Sequence, residues 1–219
     1  MSITVASGPT STGTTADWEL FFARRALATL KARLGAEALL ELLRPQIDAS
    51  TATLTEWIES SEGRWQPSVT EMRVTGLSAA EFLAHFETIS HDQPRMLAAQ
   101  PEHFVLRPRG GDTMQVVENL GPHISDLALH FTGEQDAVAE LSPDHPTRMV
   151  GHAVLPNGEV VAHLLHQFRD TADGFEVLLG IYFPAAAPEA FIEAHRQHLA
   201  VEFTNWFHDA GQALGRESP

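Results

Sequence analysis

Apolar and polar residues alternate along this chain with two different periods. Near the start, Leu20, Leu27, Leu30, Leu34 and Leu42 recur at helical spacing, with Arg24, Arg25, Lys31 and Arg33 filling much of the remainder. The spacing predicts a helix from Asp17 to about Leu43, stopped by Pro45. A second short helix is expected from about Ala52 to Ser60, and Gly63 to Pro67 reads as a connector. Glu71 to Thr75 suits a strand. Ser78, with Glu81 three residues on, is a capping box for a helix over Ala79 to Ile89. His91 to Glu102 contains Pro94 and Pro101 and reads as irregular.

From His103 the period changes to two. His103 to Arg107 and Thr113 to Leu120 flank Arg109-Gly110-Gly111-Asp112, a hairpin signal. Ser125 to Phe131 is a third run. Arg148 to Leu155 and Glu159 to Arg169 flank Pro156-Asn157-Gly158, and Phe175 to Phe183 follows Ala172-Asp173-Gly174. A last helix is predicted from Pro188 to about Ala210, with Gly211 as its stop. The expected class is α+β. A leader over 1–15 and a helical segment over 16–66 precede a domain over 67–219, an antiparallel sheet closed by one long helix. A sheet curved around such a helix leaves a cavity between them.

Composition narrows the possible partners. The 219 residues carry 29 acidic against 14 basic side chains, a formal charge of -15, so no basic footprint for nucleic acid exists. Cysteine is absent, which excludes disulfides and suits a reducing, cytoplasmic setting. The Ser/Thr/Gly-rich start lacks the charged beginning and apolar run of a signal peptide. No apolar run approaches the ~18 residues of a membrane span. The N-terminal helices suit either packing on the domain or pairing of two protomers in a homodimer.

Twelve histidines direct attention to metal or proton chemistry. His198 and Glu202 lie four apart on the last helix, on one face, beside Ile192, Leu199, Phe203 and Trp206. An imidazole and a carboxylate so placed suit a divalent ion, or equally an ordinary helix-face ion pair. Glu118 shares a strand face with Met114, Val116 and Leu120, where a carboxylate needs a partner. A hairpin can bring His103 near it. His166 shares a face with Ala162, Leu164 and Phe168 and is expected to point inward, as a proton donor or a core histidine. Tyr182, the only tyrosine, is a candidate hydrogen-bond donor to the cavity. His123, Asp126 and His130 form a weaker rival cluster.

Residues 163–205 resemble the C-terminal half of the 2,4-diacetylphloroglucinol and phloretin hydrolases. The resemblance lies in Leu165-His166-Gln167-Phe168-Arg169-Asp170, Asp173-Gly174, Leu179-Gly180 and His198-Leu199-Ala200-Val201-Glu202-Phe203-Thr204-Asn205. Looser matches at Pro101-Glu102-His103 and at Glu118 before Gly121 extend it to roughly residues 100–208. It implies a helix-grip (START-like) fold and a zinc ion held by His103, Glu118, His198 and Glu202, though other divalent metals accept the same ligands. It further implies hydrolysis of the C–C bond between an acyl group and an electron-rich ring, in a phenolic-ketone substrate. His166 would deliver the proton to the ring carbon. Tyr182 alone is a thin supply of the aromatic hydroxyls such a pocket calls for. The other reading of the same pattern is a non-catalytic carrier of a hydrophobic small molecule.

Overall fold

The computed structural model describes residues 13–216. Most of the expected leader therefore lies outside the described residues. Thr14 caps the first helix, α1 (Thr15–Ser61), its hydroxyl taking the Asp17 N–H while the Asp17 carboxylate accepts the Thr14 N–H at 2.7 Å. Pro45 was expected to end this helix, but it lies inside it. The break comes instead at Gly35, at φ 73° and ψ 169°, a conformation that only glycine adopts without strain. Beyond Gly35 the helix runs through Pro45 and absorbs the region read as a separate helix from Ala52. An interior proline costs about 3 kcal/mol. Burial of Ile47, Ser50 and Leu54 on the following turns opposes that cost.

The next strand, β1 (Trp65–Thr75), begins earlier than its apolar pattern suggests and takes in the expected connector. It is an edge strand, so Pro67 can sit opposite Tyr182 without breaking a ladder on its free side. The capped helix α2 (Ala79–Ile89) has the predicted bounds. The segment read as irregular contains a short helix, α3 (Gln93–Ala99), capped by Asp92. Pro94 stands in its first turn, where a missing N–H leaves no hydrogen bond unmade.

Six strands follow: β2 (His103–Gly110), β3 (Thr113–Leu120), β4 (His123–Thr132), β5 (Thr147–Val154), β6 (Val160–Asp170) and β7 (Gly174–Pro184). With β1 they make one antiparallel sheet in the order β1-β7-β6-β5-β4-β3-β2. The closing helix α4 (Glu189–Ala213) is capped by Pro188 and passes through Gly211, the expected stop.

One face of the sheet packs on α4 and the other meets α1. Val105 of β2 and Val117 of β3 pack with Ile47 of α1 in a small outer cluster. Leu54 joins the main core on the α4 side. Helix α4 approaches β1 and β3, near opposite ends of the strand order, more closely than the strands between. The sheet is therefore concave toward α4, and a cavity lies where the middle strands stand away from it. Among the described residues no helix is long and apolar enough to cross a membrane.

Phe82 of α2 locks one end of this arrangement. It is 1% exposed, and its ring meets Phe168 and Phe175 of the sheet and Phe203 and Phe207 of α4. Phe82→Ala is expected to lower unfolding free energy by about 3–5 kcal/mol in denaturant titration.

Candidate metal centre and cavity

The site begins with a strand irregularity. His103 pairs with Glu118 and Val105 pairs with Val117, so Phe104 is an extra residue, a bulge. Strict alternation would put His103 and Val105 on one face. Val105 faces α1, and the bulge turns His103 to the opposite, α4 side, across from Glu118. Lys31 of α1 holds the bulged backbone by donating to the carbonyls of Pro101 and His103. Burial is the main influence on this ammonium and lowers its pKa to about 8.

Helix α4 supplies the other half. His198 and Glu202, one turn apart, both face the sheet and are buried. His103 Nε2 lies 3.0 Å from Glu118 Oε2, 3.2 Å from Glu202 Oε1 and 3.2 Å from His198 Nε2. His198 Nε2 lies 3.3 Å from Glu118 Oε2. The structure thus brings His103, Glu118 and His198 into one group, and Glu202 meets it through His103. The buried group of His103, Glu118 and His198 can hold a metal ion.

The donor set fits such an ion. Nitrogen and oxygen atoms arranged tetrahedrally at about 2.0–2.1 Å from a cation lie about 3.3 Å from one another. The three separations among His103, Glu118 and His198, 3.0–3.3 Å, fall close to that value. Behind His198, Nδ1 lies 3.4 Å from Glu102 Oε2, and Asn119 donates to the other oxygen of Glu102 at 3.2 Å. A carboxylate behind a ligating imidazole orients the ring and raises its basicity. His103 Nδ1 is buried without a partner. Asn205 donates to the Ala99 carbonyl, and Gln100 to the His198 carbonyl, so both fasten α4 beside the cluster.

Electrostatics point the same way. Burial pushes His103 down, but the Glu202 and Glu118 carboxylates outweigh it and raise its pKa to about 9. Burial likewise opposes a rise in His198, but Glu118, Glu102 and Glu202 overcome burial and raise its pKa to about 10. Burial pushes Glu118 up, yet His198 and His103 hold its carboxyl far below the usual carboxylate range. Negative charge at this point demands a compensating cation, whether protons on imidazole or a metal.

The cluster forms part of the wall of a cavity of about 110 Å³. Met114, Val116, Glu118 and Leu120 line it from β3, and Ala162, Leu164 and His166 from β6, as alternation predicts. Burial lowers the pKa of His166 to about 3, and its Nδ1 has no partner. Tyr182 does not reach the cavity. Its neighbours Ile181 and Phe183 line the wall, so alternation sends Tyr182 to the outer face, where its ring lies near Gly180. The rival cluster is dispersed. His123 packs on Trp57 and Phe191, His130 stacks on His152, and Asp126 accepts from Gln115 at 2.8 Å.

Sequence reasoning gave His195 no role. It is buried on the cavity wall, with its pKa lowered to about 3, chiefly by burial. Its position three residues before His198, on the same helix face, was the available signal.

Two buried neutral imidazoles make folding sensitive to acid. An unfolded histidine takes a proton below about pH 6.5, while His166 and His195 stay neutral down to about 3. The unfolded state therefore binds more protons across that window, and stability falls as pH falls through it. Each histidine contributes up to about 1.4 kcal/mol per pH unit. His166→Leu is expected to have a shallower loss of unfolding free energy than the wild type between about pH 6 and pH 5, measured by denaturant titration.

Compared with known proteins, the chain matches no family model, and no curated protein matches it.

Proposed function

We propose that this chain is a metal-dependent hydrolase that cleaves the C–C bond of an acyl-phenolic or related ketone. Zinc is the favoured ion, with His103, Glu118, His198 and Glu202 as ligands. The observation that carries this reading is the meeting of two imidazoles and two carboxylates, from β2, β3 and α4, at the wall of an apolar cavity. The resemblance of His198-x-x-x-Glu202 and its surroundings to the diacetylphloroglucinol and phloretin hydrolases supports it. The concave sheet around α4 is read as a helix-grip fold. Leu20, Phe21, Phe22 and Leu30, exposed on the first half of α1, favour the expected pairing of two protomers along that helix.

A bound ion supplies Lewis acidity and lowers the proton affinity of water at the site. The protein's own side chains do the rest. The apolar wall excludes bulk water and packs the ring. Water adds its oxygen to the acyl carbon, the bond from that carbon to the ring breaks, and the ring carbon takes a proton. His166, inward-facing on β6 and neutral, is the assigned donor: it takes the proton lost by water and delivers it to the ring carbon. The products are a carboxylic acid and the deacylated ring.

The predominance of apolar side chains on the cavity wall favours a second reading, a non-catalytic carrier of a hydrophobic molecule. Metal content separates the two. Protein purified without chelators or a histidine tag is expected to contain about one zinc per chain by elemental analysis. His198→Ala is expected to lose it, together with hydrolysis of aryl ketones. Purified protein that holds no metal and takes up none on zinc titration supports the carrier.

A further inference from the structure

A second polar arrangement in the cavity is separate from the four-residue cluster. His195 Nδ1 lies 3.1 Å from Ser68 Oγ, and Ser68 Oγ lies 3.3 Å from the Ile192 carbonyl. Ser68 is fully buried on β1 and His195 is 4% exposed on α4. A hydroxyl has one proton to give, and the Ile192 carbonyl can only accept. Both contacts are satisfied in one arrangement alone: Ser68 donates to Ile192, and His195 donates from Nδ1 to Ser68. Nε2 then carries the lone pair. Among the described residues no hydrogen bond reaches Nε2, and the ring lines the cavity.

An acceptor with no donor, in a buried wall, calls for a ligand that supplies one. We propose that His195, held by Ser68, accepts a hydrogen bond from a hydroxyl group of the substrate and so selects hydroxylated rings over their deoxy counterparts. The inference rests on reading the cavity as a substrate site. No lysine or arginine lines the cavity, and the cluster's imidazoles are already paired with Glu118 and Glu202, so the matching ligand is uncharged. A cavity of roughly 150 Å³ accepts benzene. The 110 Å³ here is smaller than that, so the ligand is at most a single small ring. Ser68 is a positioning residue in this scheme, and His195 is the group that touches the ligand.

The tautomer is directly readable. In ¹⁵N NMR of the labelled protein, with His195 assigned by its loss in His195→Leu, the wild type is expected to show Nδ1–H. In Ser68→Ala that preference is lost. Calorimetry with phenol and toluene then tests selection: the wild type is expected to favour phenol, and Ser68→Ala and His195→Leu to reduce that preference roughly five- to tenfold. An Nε2–H tautomer in the wild type overturns the proposal. So does equal weakening of both probes in both variants, or binding of neither probe by the wild type. Protein that lacks zinc but keeps the tautomer and the phenol preference supports the acceptor while removing the metal centre.

Discussion

Two carboxylates and two imidazoles share a place from which water is largely excluded, and their charges must balance there. That requirement organises the centre of the molecule. Glu118 and Glu202 come from a strand and a helix that face each other across the core, so balancing them ties sheet to helix. The surrounding contacts reinforce the tie. Gln100 and Asn205 bridge α4 to the end of α3, and Glu102 stands behind His198. Breaking one partner of such a group leaves a buried charge uncompensated, which is costlier than losing an exposed pair. The arrangement is poor value as simple packing and better suited to gripping a cation.

Away from that cluster, the cavity carries almost no charge. Its histidines on β6 and α4 are kept neutral by burial, while those in the cluster are driven the other way by carboxylates. One side-chain type thus fills two roles within a single core, set by its neighbours. The cluster concentrates charge, and the rest of the wall is apolar and neutral.

Much of this was visible in the sequence where a strict period governs position. Strand alternation placed Glu118 and His166 on the inner face, and the four-residue spacing placed His198 with Glu202. The α2 capping box gave that helix its bounds because its signals are local. Failures came where long-range packing outweighs local preference. Pro45 stays helical because the turns after it are buried on the sheet, and Pro67 enters a strand because that strand is an edge. Tyr182 was chosen for its chemistry against the alternation that sends it outward. The Ser68–His195 contact joins residues far apart in sequence, and no periodicity announces it.

The bulge at Phe104 makes the cluster a matter of counting as well as chemistry. Pairing all of β2 regularly, with Phe104 kept in step, would put the upstream imidazole on the Val105 face toward α1, with every ligand-type side chain still encoded. A relative with the same histidines and glutamates at the same spacing, but with this strand paired without a bulge, would therefore carry the lettering of this centre without its geometry. Strand pairing here is as much a part of the chemistry as the identity of the side chains.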